Sequence, residues 1–102
     1  MYILNTAFDW DAGKAAANLA KHAVSFEEAA GAFLDPDALD GPDVLHSATE
    51  ARRLRVGRSA VGRVLMVAYT RRVRGYGEAI RIISARRASR QERAAYAKSG
   101  QD

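Results

Sequence analysis

The sequence predicts an α+β fold: one small domain with the order β-α-α-β-β-β-α and an antiparallel sheet. Three observations predict it. Capped, alanine-rich helical stretches fill the first third of the chain. From Arg52 onward the apolar residues switch to alternation and then to a continuous β-forming run, as strands require. A capping box near the end opens a last helix. With 102 residues the chain has room for one core, and without cysteine it has neither a disulfide framework nor a thiolate metal site. Residues 1–98 are expected to form the single domain and residues 99–102 a loose tail.

Tyr2–Phe8, apolar at Tyr2, Ile3, Leu4 and Phe8, is expected to be a short strand. Asp9 or Asp11 then caps a helix running to about His22, with five alanines raising its propensity. On a helical wheel Ala12, Ala15, Ala16, Leu19, Ala20 and Ala23 share one face, which is expected to lie on the sheet. Lys14, Asn18, Lys21 and His22 share the other. Ser25-Phe26-Glu27-Glu28 fits a capping box and opens a short helix through about Phe33. Asp35-Pro36-Asp37 and Asp40-Gly41-Pro42-Asp43 carry turn and helix-stop chemistry.

Leu54 and Val56 alternate with Arg53, Arg55 and Gly57 as in a half-buried strand. Ser59–Gly62 supplies a turn, and Arg63–Thr70, nearly all apolar, reads as a central strand covered on both faces. Arg72–Gly77 is expected to be a longer loop. Ala79–Arg87 is a third strand, with Ile80, Ile82, Ser84 and Arg86 on one face. Ser89-Arg90-Gln91-Glu92 caps a final helix to about Lys98.

Charge is sorted along the chain. Residues 1–51 carry two basic side chains against nine acidic ones, whereas residues 52–102 carry fourteen basic ones, thirteen of them Arg, against three. The total of +4 thus hides a second half near +11. Arginine presents a planar fork of donors that matches phosphate, so this half suggests a grip on a polyanion, most simply nucleic acid. A solvated charged surface is the alternative. The longest apolar run, Val64–Tyr69, is too short to span a bilayer, and no basic residue precedes Lys14 as in a secretory signal. A cytoplasmic protein with no membrane partner is expected.

Two places hold side chains suited to chemistry on a phosphodiester. On the first helix, Lys14 and Lys21 can neutralise phosphate and His22 can exchange a proton near neutrality. The same residues also fit a plain solvated helix face. Arg86 and Arg87 end the last strand, where a rigid sheet can hold a fork against developing negative charge. Arg58 and Arg63 flank the first hairpin turn and are placed to approach from the neighbouring strand. Pairing of these arginines with Glu92 or with the aspartates of the first half is the competing reading. His46 is a second titratable group. Two histidines invite an acid–base pair for RNA cleavage, one taking the 2′-hydroxyl proton and one protonating the leaving oxygen. Spacing gives this no support and favours a loop histidine. No HExxH, Walker loop, GxGxxG or GxSxG pattern is present, so no metal or cofactor is expected.

The order of these pieces resembles one family. Phe8-Asp9-Trp10-Asp11 with Lys14, Asn18 and Lys21-His22, then Val24-Ser25-Phe26-Glu27-Glu28-Ala29, is similar to the opening of the BrnT family of bacterial type II toxins. Asp35-Pro36, His46-Ser47, Glu50, Val56-Gly57-Arg58-Ser59 and Gly62-Arg63 continue the pattern. So do Arg81-Ile82-Ile83-Ser84-Ala85-Arg86-Arg87-Ala88, Arg90, Glu92, Arg93 and Tyr96. The resemblance implies a RelE-like toxin fold and a metal-independent endoribonuclease that arrests translation. It also implies a cognate BrnA-type antitoxin with a ribbon-helix-helix pattern, whose complex with the toxin represses the operon, so operator DNA is met only through that complex. Arg86 and Arg58 would stabilise charge, and His22 or Lys21 would transfer the proton. Lys14, Arg63, Arg81 and Arg87 would hold the RNA backbone. A non-catalytic nucleic-acid-binding module and an inactive toxin relative acting as a corepressor are the alternatives. Two departures stand out: Ala23 replaces the family's glycine after Lys-His, so the helix is expected to end differently, and Arg71–Glu78 is longer and more basic.

Overall fold

The structure, a computed structural model, describes residues 1–46, 50–75 and 77–100, with Arg74 through its backbone alone. Among these residues the strands are β1 (Tyr2–Ile3), β2 (Thr6–Asp9), β3 (Leu39–Pro42), β4 (Arg52–Arg58), β5 (Val64–Arg74) and β6 (Gly77–Arg87). The helices are α1 (Ala12–His22), α2 (Phe26–Gly31) and α3 (Arg90–Ser99), with a 3-10 turn at Ala32–Leu34. One sheet runs in the order β1-β2-β6-β5-β4-β3. The α+β class holds, but the sheet is mixed, because β2 lies parallel to β6 with Phe8 opposite Ile80.

Three differences from the expected element order have local causes. The strand expected over Tyr2–Phe8 is a hairpin, turned by Leu4 at φ 54°, with Tyr2 opposite Ala7. Strand β3 forms inside the stretch that reads as turns, and Pro42 is tolerated because β3 is the sheet edge. The loop expected over Arg72–Gly77 is the end of a long hairpin in which Arg74 pairs with Gly77. Tyr76 in that stretch, Ser47 in the family pattern, and the tail residues Gln101 and Asp102 lie outside the described residues. Ser99 is not part of a loose tail: it closes α3, and its hydroxyl donates to the carbonyl of Asp37 at 3.1 Å.

The main core fills one face of the sheet, where α1 and α2 cover Phe8, Leu65, Val67, Tyr69, Ile80 and Ile82. Close approach is built in at Gly57, where a Cβ would stand 2.9 Å from the carbonyl oxygen of Ala32. On the opposite face Val56, Ala88 and Tyr96 anchor α3. Both long helices start as expected. The Asp11 side chain accepts from the Lys14 N–H at 2.8 Å, and Ser89 and Glu92 complete a reciprocal capping box.

Strand β6 decides which side chains face outward. Its partners step from Ala68–Ser84 to Tyr69–Ile82, leaving Ile83 as an extra residue, so the side-chain alternation restarts out of phase. Ile80 and Ile82 remain in the core, whereas Ser84 and Arg86 emerge on the opposite face. The four do not share a face, contrary to the expectation from simple alternation.

Helix α1 is turned over relative to the expected orientation. Its buried residue is Asn18, and Leu19 is 52% exposed. The side that meets the sheet is therefore centred on Asn18, with Ala15 and His22 half-buried beside it. Leu19 and the other alanines look outward, and Lys14 and Lys21 stay exposed. The cause is an unpaired stretch of backbone. Among the described residues β2 pairs with β6 only at Ala79–Arg81, and Asn18 takes over beyond it. Its Nδ2 donates to the Ala85 carbonyl at 2.8 Å, and its Oδ1 accepts the Ala85 N–H at 3.1 Å. Nδ2 also donates to the Val24 carbonyl at 3.0 Å, tying down the chain just past the helix. One carboxamide thus satisfies three buried backbone groups, which a hydrocarbon side chain would leave unpaired.

Ala23 adopts the left-handed region itself (φ 56°, ψ 33°) and donates its N–H to the Leu19 carbonyl. The helix ends with the glycine-type cap despite the substitution, at a cost of about 1 kcal/mol. Arg63 clamps this corner: its guanidinium donates to the Glu28 carboxylate and, at 2.9 Å, to the Ala23 carbonyl.

Asn18→Ala should therefore lower unfolding stability by about 2–4 kcal/mol in urea titration. Ala23→Gly should raise it by about 0.5–1 kcal/mol. A second expectation concerns pH. The Arg63 hydrogen bond holds Glu28 below its usual 4.5 despite opposing burial, and Ser59 adds a hydrogen bond. A carboxyl lowered in the folded state contributes stability fully above its unfolded value and loses it as pH falls through the folded one. Wild type should lose stability below about pH 4.5, and Glu28→Gln should show a shallower loss in acid unfolding curves.

Candidate active site

A cavity of about 550 Å³ opens on the sheet face that α3 leaves partly uncovered. Its floor is apolar, made by Leu54 of β4 with Met66 and Ala68 of β5. Its walls bring together groups that are far apart in sequence. Lys21 and His22 enter from the last turn of α1, Arg86 and Ser84 from β6, and Arg52 from β4. Asp43 and His46 enter from the segment after β3, and Glu92 from the first turn of α3.

Each element is held by the packing already described. The Asn18 amide pins α1 against Ala85, which directs the following turn, Lys21-His22, toward the next residue of β6, Arg86. The bulge at Ile83 puts Arg86 on this face. Glu92 holds the Arg86 fork in a bidentate pair, Nη1 to Oε1 at 2.8 Å and Nη2 to Oε2 at 2.9 Å. The same carboxylate accepts the Ser89 N–H at 2.7 Å, so the cap of α3 and the orientation of Arg86 share one group. The Arg86 hydrogen bond keeps Glu92 below the usual glutamate range against the opposing effect of burial.

Asp43, 7% exposed, approaches the ring of His46 with its carboxylate oxygens 3.0 and 3.2 Å from Nδ1. His46 itself is well exposed, with 65% of its side chain open to solvent.

Of the eight sequence candidates, Lys21, His22 and Arg86 meet in this cavity. Arg58 does not join them. It sits on the far side of α3, 5.7 Å over the ring of Tyr96, and donates from Nη1 to the Gly62 carbonyl at 3.1 Å. Tyr96 in turn donates to Asp35 at 2.6 Å, so this corner holds α3 to the rest of the chain. Arg63 is committed to Glu28 and Ala23 on the helix side of the sheet. Arg87 pairs opposite Leu65, a core residue, and so projects from the face opposite Arg86. Lys14 lies on the exposed first turn of α1, about two turns from Lys21. Arg81 shares the open face, with Nη1 3.3 Å from Asp9.

From the sequence, His46 reads as a loop histidine despite the acid–base pair it could form with His22, and Arg52, Ser84 and Asp43 carry no mark of a site. Their spacing carries no signal, because only the fold brings β4, β6 and the segment after β3 to one cavity. Among the described residues no group of three or more His, Asp or Glu side chains gathers as metal ligands would. No described helix is long and apolar enough to cross a membrane.

No curated protein matches the chain in sequence. Among solved structures, the 1.1 Å crystal structure of the Brucella abortus ribonuclease toxin, BrnT, superposes with a TM-score of 0.58. The two are 24% identical, and the match covers 83% of this chain and 97% of the Brucella one. At that identity the likeness speaks for the fold. The family described as "Ribonuclease toxin, BrnT, of type II toxin-antitoxin system" matches residues 10–92, which include every described residue of the cavity. The chain belongs to the BrnT family, the ribonuclease toxins of type II toxin–antitoxin systems.

Proposed function

We propose that the chain is an endoribonuclease that cleaves RNA by directing the substrate's own 2′-hydroxyl at the adjacent phosphorus. The observation that carries this reading is the convergence of Lys21, His22 and Arg86 in one cavity with an apolar floor. Such a site can seat a nucleotide base on Leu54, Met66 and Ala68 while cations meet the phosphate. In-line attack by the 2′-oxygen leaves a cyclic phosphate and a 5′-hydroxyl. The protein must align the attack, move two protons and stabilise added charge on the phosphorane. Arg86 stabilises that charge, because Glu92 fixes its fork and the guanidinium still has donors beyond those engaged. His22, or Lys21 beside it, protonates the leaving oxygen. Arg81, on the same face, is suited to the strand leaving the cavity. The dependence on a 2′-hydroxyl discriminates RNA from DNA.

In the cell this activity would arrest translation in the cytoplasm. A BrnA-type antitoxin of ribbon-helix-helix pattern, held to the toxin, would silence it, and the complex would repress the shared operon. Membership of a type II toxin–antitoxin family supports an antitoxin partner.

Arg86→Ala should reduce cleavage of a short RNA by about a hundredfold to a thousandfold while the protein stays folded. Arg58→Ala should lower thermal stability and leave the rate constant of the folded protein unchanged. Binding of an uncleavable 2′-deoxy analogue should weaken by about a hundredfold when salt rises from about 50 to about 200 mM. Salt-sensitive binding with intact RNA throughout would instead identify a non-catalytic module.

A further inference from the structure

We propose that His46 is the general base of the cleavage reaction and that Asp43 is its positioning residue. The inference rests on the ribonuclease reading above and adds the group that takes the 2′-hydroxyl proton. Its ground is geometric. Asp43 continues the β3–β4 ladder, its N–H donating to the Arg52 carbonyl at 2.8 Å, so it is fixed to the sheet. His46 returns its own N–H to the Asp43 carbonyl at 3.4 Å, closing a tight turn that sets the ring over the carboxylate. A carboxylate only accepts, so whenever the imidazole bound to it is neutral its proton sits on Nδ1. In that neutral tautomer Nε2 is the nitrogen with the lone pair, on a side chain that is open to solvent and borders the cavity.

The charged and titratable groups around that cavity leave the base role to His46. The ammonium of Lys21 and the guanidinium of Arg52 are donors with no acceptor site. Arg86 is permanently charged, and Glu92 is occupied by Arg86 and the Ser89 N–H. His22 has no carboxylate to fix its tautomer among the described residues, and it reaches the cavity from a different element, α1. The two histidines thus divide two proton transfers. The 2′-hydroxyl proton passes to His46 Nε2 as the 2′-oxygen bonds to phosphorus. The phosphorus–5′-oxygen bond breaks, and the leaving oxygen takes a proton from protonated His22 or from Lys21. The step produces a 2′,3′-cyclic phosphate and a 5′-hydroxyl and needs no other reactant.

The test is a pH–rate series on a short RNA with wild type, His46→Ala, His46→Gln and Asp43→Asn, each checked for its melting transition and for binding of the 2′-deoxy analogue. His46 is exposed, so its variants should fold and bind as wild type does. Their cleavage rates should fall by about a hundredfold to ten-thousandfold. The limb of the profile that reports a base losing its proton should vanish, and added imidazole should restore part of the rate to His46→Ala. Asp43→Asn, which frees the tautomer, should lose at least about tenfold in rate with binding retained. A wild type that cleaves RNA while both His46 variants keep its rate and pH profile overturns this inference and leaves the ribonuclease reading standing. His46 variants that fail as expected beside an Asp43→Asn protein identical to wild type overturn the role of Asp43. A wild type that binds the RNA and never cleaves it overturns the ribonuclease reading itself.

Discussion

The arrangement depends on the pairing of the Asn18 carboxamide with the backbone of Ala85. It repeats, with a side chain, the two-way exchange a neighbouring strand would make, on a stretch of β6 that β2 does not reach. Because the amide also holds the Val24 carbonyl, it fixes both where α1 lies and where the chain leaves it. The consequences run outward. Helix α1 lies with Asn18 against the sheet, and its last turn brings Lys21 and His22 to the cavity that Arg86 also lines. The bulge at Ile83 is the second half of the device, since it turns Arg86 away from the core. Neither feature places the site alone.

The sorting of charge along the chain has a different meaning once the fold is known. The acidic first half and the Arg-rich second half neutralise each other in place: Asp40 pairs with Arg53 and Arg55, Glu28 with Arg63, Glu50 with Arg72 and Asp9 with Arg81. The exposed pair Arg72–Glu50 contributes little to stability. The partly buried Arg63–Glu28 pair also carries a backbone contact to the end of α1 and counts for more. Much of the arginine excess is therefore engaged inside the molecule. The polyanion footprint narrows to the open sheet face, where Lys21 and Arg86 line an apolar-floored cavity.

What the sequence made legible is what local chemistry encodes. The caps at Asp11, Ser25 and Ser89 stand where Ser and Asp precede helical periodicity, and the change of period at Arg52 marks the start of β4. Membership of Lys14, Asn18, Lys21 and His22 in one helical face was also legible. Which face would be buried was not, because the pattern weighs alanine as inward and asparagine as outward. It cannot see a strand edge waiting for an amide. Likewise alternation assigned Ser84 and Arg86 to the face of Ile80, and only a register slip against β5 separates them. Strand β3 escaped notice because it is an edge strand rich in residues that ordinarily stop strands. The partnership of Asp43 and His46 depends on that same strand, so the sequence could not weight His46 above a loop residue.

RNA is proposed to meet this protein at the cavity between α1, β6 and the segment after β3. A crystal structure with a short RNA carrying a 2′-O-methyl group at the scissile position tests it directly. The scissile phosphate should contact Arg86 and Lys21, with the modified 2′-oxygen facing His46 and the base over Leu54 and Met66. A phosphate seated instead beside Arg58 and Tyr96, or on the helix side of the sheet near Arg63 and Arg87, would contradict it.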